Sequence, residues 1–520
     1  MVKGKSNLGL VVTALLLGIL MASMDNTIVS TAMGTIVSDL GGLDKFVWVT
    51  SAYMVAEMAG MPIFGKLSDM YGRKRFFIFG LIFFLAGSIL CATAETITQL
   101  SIYRAIQGIG GGALVPIAFT IMFDIFPPEK RGKMGGLFGA VFGLSSIFGP
   151  LLGAFITDTF TWHWIFFINV PLGVVALLLV VLFYHESHEH SRQQIDWAGA
   201  TTLVGSIICL MFALELGGGT YAWDSTVILS LFAGFTVLFI IFLFIERTAK
   251  EPIIAYSMFK NRLFASSTII GLFSGAAFIA AAVYIPIFVQ GVTGGTATNS
   301  GMILLPMMLG TTVSAQIGAM SSVKFGYRKV MVVFMLIFLI GIALLTTITT
   351  DTSRGMITFY MIITGLGLGA SFSVLGMAAI HHFDASQRGS ANSTIAFIRS
   401  LGMTIGITIF GMVQKNNFTD GLKSAFAGMD SAPQGMDMLS DPRAILSPEA
   451  RGSIPPEILD KVTHALSSSI VQTFMWALIP TVLALLFTFY MTNDRMKSYQ
   501  EQAAEAKAEA EARATTSSSS

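Results

Sequence analysis

The stretch GKLSDMYGRKR, residues 65–75, places five charged side chains in a short link between two long apolar runs. The run before it, FVWVTSAYMVAEMAGMPIF, and the run after it, FFIFGLIFFLAGSILCATA, are almost uncharged. Each run is close in length to the roughly 20 residues that a helix needs to cross a bilayer. The stretch is therefore predicted to be a turn between two membrane-spanning helices.

The composition of the whole chain also indicates a membrane protein. Of its 520 residues, 54% are hydrophobic and only 12% are charged, with a mean hydropathy of +0.73. A soluble domain has about 25% charged residues. The net charge of +1 gives no sign of a nucleic-acid partner, and both cysteines, Cys91 and Cys209, lie inside apolar runs, which argues against a disulfide framework. We expect an all-α polytopic membrane protein.

Fourteen apolar stretches are long enough to be spans, and the basic residues test that count. With the N-terminus in the cytoplasm, most of the 31 Lys and Arg residues fall in inside segments, as the positive-inside rule requires. The short outside loops hold only Lys45 and Arg354. We therefore expect a plasma-membrane protein with both termini in the cytoplasm. The predicted spans are 8–33, 46–67, 76–94, 99–123, 133–157, 164–184, 197–216, 226–246, 264–289, 298–322, 330–350, 354–380, 389–413 and 468–491.

Several motifs, in order along the chain, point to one family. The pattern G-x-L-x-D-x-x-G-R-K in the opening stretch resembles the signature loop of the major facilitator superfamily. On the same scaffold, the fourteen spans resemble the drug:proton antiporters of that superfamily. GAVFGLSSIFGPLLGAF (139–155) resembles the fifth-span motif associated with antiporters, which places Gly143, Gly149, Pro150 and Gly153 on that motif. The other matching segments are MDNTIVSTAM (24–33), LSIYRAIQGIGGGA (100–113), WHWIFFINVPLG (162–173) and IDWAG (195–199).

The resemblance implies the major facilitator fold, with two six-helix bundles and two further helices inserted between them. A weaker copy of the opening stretch, AMSSVKFGYRK (319–329), lies in the second half and lacks the aspartate. Repeats of this kind are expected where two halves rock about a central site. The implied domains are an N-terminal bundle (1–184), a linker with the inserted helices (185–263), a C-terminal bundle (264–491) with a long outside loop (414–467), and a cytoplasmic tail (492–520).

Charged residues inside the predicted spans need a reason, because a charge at mid-bilayer costs about 2.5–3.5 kcal/mol on insertion scales. Asp25, Glu57 and Arg104 are our candidates for proton coupling. A carboxyl group in a low-dielectric site holds a proton more readily than one in water. Counting along the helices also places Asp25 and Arg104 at similar depths, so we expect them to lie close together. Arg399, in span 13, is equally well explained by a fixed salt bridge.

The substrate site is expected to combine acidic groups with polar and aromatic side chains. The chain has 42 Phe and 29 Met residues, which supply an apolar surface that adapts to unrelated hydrophobic compounds. A carboxylate in a poorly screened cavity favours positively charged cargo, and aromatic rings add cation–π contacts. The predicted binding residues are Asp25, Asn26, Trp48, Tyr53, Glu57 and Gln107.

The opening stretch is itself predicted to be a latch that closes the cytoplasmic side. Gly65 and Gly72 permit tight turns and a close approach of helices. Asp69 is predicted to cap the N-terminus of a helix from the second half, with span 11 as the candidate. Arg73 is expected to pair with Asp124, an acid at the cytoplasmic end of span 4.

These features favour proton-coupled efflux of hydrophobic, cationic drugs by a monomer whose partners are the drug, protons and the lipid bilayer. Export of an endogenous lipid, siderophore or amino acid stays open, as does uptake, although the fifth-span motif favours export. A sensor would bring a signalling domain, and an enzyme would need clustered catalytic residues. Only HESHEH (185–190) resembles such a cluster, and it begins a cytoplasmic loop where solvated charges are common. We therefore predict no metal and no cofactor.

Overall fold

The computed structural model describes residues 7–40, 47–186, 195–218, 220–295, 297–426 and 455–495. This part of the chain is built from α-helices and contains no β-strand, so the all-α prediction is confirmed. A π-helical turn follows α11, and a 3₁₀ turn precedes α15. The helices are α1 (Leu8–Leu40), α2 (Val47–Tyr71), α3 (Arg73–Cys91), α4 (Ile97–Ile125), α5 (Pro128–Thr159), α6 (Trp164–Phe167), α7 (Asn169–Phe183), α8 (Trp197–Leu216), α9 (Thr226–Thr248), α10 (Tyr256–Lys260), α11 (Arg262–Ile287), α12 (Ala297–Phe325), α13 (Tyr327–Leu345), α14 (Arg354–Ala379), α15 (Arg388–Phe426) and α16 (Pro456–Tyr490).

Twelve helices in the described ranges are long and apolar enough to cross a membrane, with α6 and α7 counted as one broken span. The two other predicted spans also form helices, because α2 has 25 residues and α5 has 32. Both exceed the roughly 20 residues that a span needs, although neither is among the twelve. The prediction of a polytopic membrane protein is confirmed, and twelve of the fourteen predicted spans are confirmed. We call the side at which α1 begins and α2 ends the inner face; the basic residues predict that it is cytoplasmic.

Two helices extend far into the predicted outside loop 414–467, because α15 continues to Phe426 and α16 begins at Pro456. Phe418 and Leu422, one helical turn apart on α15, are buried in the same apolar core as residues of α16. Polar residues between these positions conceal the helical period in the sequence. Residues 427–454 of the predicted loop lie outside the described part of the chain.

The two bundles, α1–α7 and α11–α16, repeat the same helix pairings. In the first bundle α4 packs against α2 and α3, and α1 packs against α5. In the second bundle α14 packs against α12 and α13, and α11 packs against α15. Between the bundles, α5 contacts α12 and α2 contacts α15. The chain therefore has the two-bundle architecture that the resemblance implies.

The inserted helices α8 and α9 pack against each other, and α8 lies beside the line along which α2 meets α15. An apolar cluster joins these elements and includes Met58 of α2, Leu203 of α8, Phe242 of α9 and Phe397 of α15. The inserted hairpin therefore touches both bundles, so that a movement of one bundle against the other must alter its contacts.

Small residues allow α5 to lie very close to α1. A Cβ atom added at Gly149 would overlap the Thr27 hydroxyl and lie 2.8 Å from Thr27 Cβ, and one added at Gly153 would lie 2.9 Å from the carbonyl oxygen of Ile28. Thr27 Oγ1 also donates a hydrogen bond to the carbonyl oxygen of Ser145 at 3.2 Å. Two glycines of the predicted fifth-span motif therefore set the distance between these helices; Pro150 lies between them, and Gly143 lies on the same helix.

Replacing Gly149 by Ala should destabilise the first bundle, because the added methyl group has no room. Overpacking of this kind costs about 1–3 kcal/mol, which outweighs the gain of about 1 kcal/mol in helix propensity. Gly355→Ala is the matched control, since a Cβ atom there meets nothing within 4 Å. Thermal unfolding of the purified protein in detergent should show a lower midpoint for Gly149→Ala only, and equal midpoints would contradict the close-packing interpretation.

Candidate functional site

Asp25 of α1 lies at the centre of a polar network in the first bundle. Its carboxylate forms an ion pair with Arg104 of α4, and both side chains have no exposed area. Gln107, one turn further along α4, bridges the pair, because its Nε2 donates to Asp25 Oδ1 at 2.7 Å and its Oε1 accepts from Arg104 Nη1 at 2.7 Å. The pair is therefore held by hydrogen bonds on both sides. The structure thus places Asp25 beside Arg104, as their similar depths along the helices predict.

Two further side chains, Asn169 and Ser88, join the hydrogen-bond network around Asp25. Asn169, the first residue of α7, donates from Nδ2 to Asp25 Oδ1 at 3.2 Å and to Ser88 Oγ at 2.9 Å. Ser88 of α3 also accepts from Gln107 Nε2 at 3.1 Å. Sequence reasoning missed both residues. The available signal was a polar side chain inside an apolar run, which is a weak indication for serine and asparagine.

The guanidinium of Arg104 makes its other contacts with α1 and α2. Its Nε donates to the carbonyl oxygen of Val49 at 3.2 Å, and its Nη2 donates to Asn26 Oδ1 at 3.4 Å. The guanidinium carbon lies 4.2 Å from the centre of the Tyr53 ring, which is a cation–π distance. The buried Tyr53 hydroxyl has no hydrogen-bond partner among the described residues. Asn26 and Tyr53 therefore belong to the Arg104 environment.

Glu57 and Trp48 lie apart from this network. Glu57 is one helical turn beyond Tyr53 on α2, it is half-buried, and no described residue bonds to its carboxylate. The Trp48 ring packs edge-on against Phe212 of the inserted hairpin, with ring centres 4.7 Å apart. Of the six predicted substrate residues, the structure therefore brings four together and leaves Glu57 and Trp48 separate from them.

Arg399 of α15, the other cation predicted within a span, has a different environment. Its Nη2 donates to the carbonyl oxygen of Ser371 at 2.9 Å, and its guanidinium carbon lies 4.5 Å from the centre of the Phe372 ring. No described carboxylate pairs with it. A backbone carbonyl and an aromatic face, both from α14, therefore take the place of the fixed salt bridge that the sequence offered as an explanation.

The predicted latch residue Asp69 reaches across to the second bundle. Its carboxylate accepts hydrogen bonds from the backbone amides of Gly389 at 2.9 Å and Ser390 at 2.7 Å, in the first turn of α15. Helix N-termini favour an anion because their first amides lack partners and the helix dipole is positive there. The predicted recipient, span 11, is wrong. That helix, α13, begins beside the C-terminal segment of its own bundle, where the Tyr327 amide donates to the carbonyl oxygen of Asp494 at 2.9 Å.

Arg73 and Asp124 complete the latch. Arg73 Nη2 donates to Asp69 Oδ1 at 3.2 Å, and its guanidinium also pairs with Asp124 at the inner end of α4. Arg388 of the second bundle approaches the same acid, with its Nη1 3.4 Å from Asp124 Oδ1. Four charged groups from α2, α3, α4 and α15 therefore alternate in sign across the boundary between the bundles.

Two glycines give the latch its geometry. Gly65 faces α15 so closely that an added Cβ atom would overlap the side chain of Ser393 and lie 2.8 Å from the carbonyl oxygen of Gly389. Gly72 has a φ of 113°, which side chains rarely adopt, at the turn between α2 and α3. The first glycine allows the bundles to touch, and the second turns the chain so that Arg73 begins a new helix.

The sequence HESHEH lies partly outside the described residues, which end at 186. Within the described part, the Glu186 carboxylate accepts hydrogen bonds from the backbone amides of Arg73 at 2.7 Å and Lys74 at 3.4 Å. It therefore caps the N-terminus of α3. Among the described residues no group of three or more His, Cys, Asp and Glu side chains forms a metal cluster.

Comparison with known proteins identifies the family. The Major Facilitator Superfamily model matches residues 15–407. The chain is 57% identical to "Multidrug resistance protein 3" of Bacillus subtilis (strain 168), in an alignment that covers 95% of this chain and 97% of that protein. It is 35% identical to "Multidrug transporter protein MdtP" of the same organism, in an alignment that covers 96% of each chain. The solved structure of the proton:xylose symporter XylE superimposes with a TM-score of 0.62 at 14% identity, covering 95% of this chain and 98% of XylE, and it shares the fold. Together with the two-bundle architecture, these matches show that the chain belongs to the major facilitator superfamily.

Proposed function

We propose that this protein exports hydrophobic, cationic drugs in exchange for protons, by alternating access. The names of the two Bacillus subtilis relatives support drug transport. We further propose that it acts in the plasma membrane as a monomer without enzymatic activity, with both termini in the cytoplasm. The proposed domain boundaries are those implied by the sequence, with the two bundles in 1–184 and 264–491.

The buried ion pair between Asp25 and Arg104 is the observation that carries the proton-coupling proposal. A proton that binds Asp25 removes the charge partner of Arg104 and leaves a buried cation unpaired. Breaking a buried pair in this way costs about 3–5 kcal/mol. The bundle can avoid that cost only by moving Arg104 toward water or toward another anion. Protonation of Asp25 is therefore proposed to drive the rearrangement of α1 against α4.

Glu57 is proposed to recognise the positive charge of the drug. It is the one predicted substrate carboxylate without a described partner, whereas Asp25 is occupied by Arg104. An unpaired carboxylate in a poorly screened site attracts a cation. Glu57 lies one turn from Tyr53, whose ring contacts the Arg104 guanidinium. A cation bound at Glu57 would therefore also repel Arg104, because both are positively charged. The arrangement supports competition between drug and proton.

The latch is proposed to hold the inner face closed during the outward-facing half of the cycle. Asp69, Arg73, Asp124 and Arg388 connect the two bundles at that face. Charge-assisted hydrogen bonds at a helix N-terminus are strong but can be exchanged for water when the bundles separate. A contact of this type can close one side of the transporter and still open in every cycle.

Everted membrane vesicles with an imposed pH gradient test the proposed function. A panel of cationic, neutral and zwitterionic hydrophobic compounds should show uptake of the cations, with a matching release of protons from the vesicles. Compounds that move without proton exchange would contradict antiport. A lipid, siderophore or amino acid that outcompetes every drug would favour the alternative in which the cargo is endogenous.

Asp25→Asn should reduce drug-driven proton exchange to the background rate, because asparagine cannot carry the proton. The Asn side chain still offers Arg104 and Gln107 an oxygen acceptor, so insertion into the membrane should persist. The matched control is Asp39→Asn on the same helix, where the amide oxygen can still accept the bond from Trp162 Nε1. Proton release from proteoliposomes after drug addition measures both, and a wild-type rate for Asp25→Asn would remove Asp25 from the mechanism.

Glu57→Gln should weaken the binding of cationic drugs about tenfold, or about 1.4 kcal/mol, and leave neutral compounds nearly unchanged. The reason is that glutamine matches the size of glutamate and removes only the charge. Equilibrium binding to the purified protein, with one cationic and one neutral compound, provides the measurement. Equal losses for both compounds would indicate that Glu57 shapes the site without selecting for charge.

Asp69→Asn and Arg73→Ala should open the inner face, because each removes charge-assisted hydrogen bonds worth about 1.5–3 kcal/mol. That energy corresponds to a roughly 10- to 100-fold rise in the open population. Spin labels that replace Lys130 and Lys329, exposed residues at the inner ends of the two bundles, measure the distance between the bundles at the inner face. Arg75→Gln, which removes an exposed charge in the same stretch, is the control. Unchanged distances in both latch variants would mean that the charges of this stretch only set the orientation of the helices in the membrane.

A further inference from the structure

The segment between α9 and α10, residues 249–255, crosses the inner face beside the latch; we call it the strap. Glu251 of the strap pairs with Lys66 of α2 at 2.9 Å. The carbonyl oxygen of Ile253 accepts a hydrogen bond from Ser390 Oγ at 2.9 Å. Ser390 is also one of the two residues whose amides bind Asp69. The strap is therefore attached to the same turn of α15 that the latch holds.

One acid of the inserted hairpin, Glu246, bonds to the strap, and a second acid, Asp196, lies near it. Glu246, near the end of α9, accepts through Oε1 a hydrogen bond from the Ile253 amide at 3.0 Å. Asp196 caps α8 and accepts through Oδ1 from the Gly199 amide at 2.8 Å. A continuous series of hydrogen bonds thus leads from Glu246 through Ile253 and Ser390 to the latch.

The second oxygen of each acid lacks a partner. Glu246 is only 3% exposed, and its Oε2 has no hydrogen-bond partner among the described residues, nor has Asp196 Oδ2. Both carboxylates lie beside Gly199, where an added Cβ atom would overlap Asp196 Oδ2 and lie 3.2 Å from Glu246 Oε1. Two ionised carboxylates that are neighbours in a partly buried site repel each other. A proton on either carboxylate would remove that repulsion.

The surrounding charges do not neutralise the pair. The groups that face Glu246 are Asp196 from α8, Lys66 from α2 and Tyr256 from α10. Lys66 is engaged by Glu251, and the Tyr256 hydroxyl donates to a backbone carbonyl of α9 at 2.9 Å. Arg247 follows Glu246 but is exposed. From α15, the neutral Ser390 faces the strap.

We propose that Asp196 and Glu246 form a second proton-binding site, separate from Asp25, through which protons on the inner side control the latch. With one proton on the pair, the ends of α8 and α9 stay together and the strap holds the first turn of α15. When the pair loses that proton, repulsion separates the helix ends, the strap leaves Ser390, and the latch opens more readily. The closed latch is therefore favoured below the pH at which the pair deprotonates. The proposal rests on the proposed function only for the assignment of the inner face to the cytoplasm.

The test follows the distance between spin labels at Lys130 and Lys329 in the full-length protein in nanodiscs, from about pH 5.5 to about pH 8.5. In the wild type the open population should rise at least threefold over this range. In Glu246→Gln the side chain keeps an oxygen for the Ile253 amide and gains a donor for Asp196. The inner face of this variant should therefore stay closed at every pH. Asp224→Asn, an exposed acid at the opposite end of the same hairpin, is the matched control and should follow the wild type.

The latch itself contains two buried acids, Asp69 and Asp124, so the decisive quantity is the difference between Glu246→Gln and the wild type. A wild-type pH dependence in Glu246→Gln, or a flat response in the wild type, would overturn the proposal. Infrared titration gives a second measurement, because Glu246→Gln should remove one protonated-carboxyl band from the spectrum of Asp25→Asn. Identical spectra for Asp25→Asn with and without Glu246→Gln would also overturn the proposal. Both tests read conformation or protonation, so failure of drug–proton exchange in the wild type would leave their outcome unaffected.

Discussion

The ion pair between Asp25 and Arg104 orients the first bundle. Inside a membrane the hydrophobic effect does little to hold one apolar helix against another, so polar contacts and close packing must fix how each helix is rotated. Four helices contribute to this one network: Asp25 comes from α1, Ser88 from α3, Arg104 and Gln107 from α4, and Asn169 from α7. Rotating any of them would leave a buried charge or amide without its partner. The pair that orients the bundle is also the pair that a proton on Asp25 would disrupt, so stability and the proposed proton coupling depend on the same site.

The second bundle repeats the helix pairings but not this network. Its cation Arg399 contacts a carbonyl oxygen and an aromatic ring of α14, and its Nε has no hydrogen-bond partner among the described residues, so its described contacts involve no group that a proton could neutralise. The proposed proton sites lie instead in α1 and in the inserted hairpin. The two halves therefore share a scaffold, with the first half and the insertion carrying the proposed proton-binding groups and the second half presenting the α15 amides that Asp69 binds.

Much of this could be predicted from the sequence, and the limits have physical causes. The apolar runs predict the spans, and the depths of Asp25 and Arg104 predict their contact, because helix rise is constant. The partners Ser88 and Asn169 could not be predicted, since hydrogen bonds between helices depend on rotations that one sequence does not specify. The target of Asp69 was wrong for the same reason: several helices begin at the inner face, and only the packing of α2 against α15 decides between them. The inner ends of α15 and α16 were near their predicted positions, but their outer ends were missed because polar residues separate the buried Phe418 and Leu422.

The latch and its copy in the second half differ in which bundle they contact. Gly72 and Gly326 both have positive φ and both begin a helix, so the turn itself is repeated. Three residues before Gly72, Asp69 binds backbone amides of the opposite bundle. After Gly326, the Tyr327 amide donates to Asp494 of its own bundle. A contact within one rigid body does not change when two bodies rock against each other, whereas a contact between them must break and form again. The aspartate that the copy lacks is thus the difference between a turn that only connects two helices and one that also binds the opposite bundle, which is the contact that the proposed gating role requires.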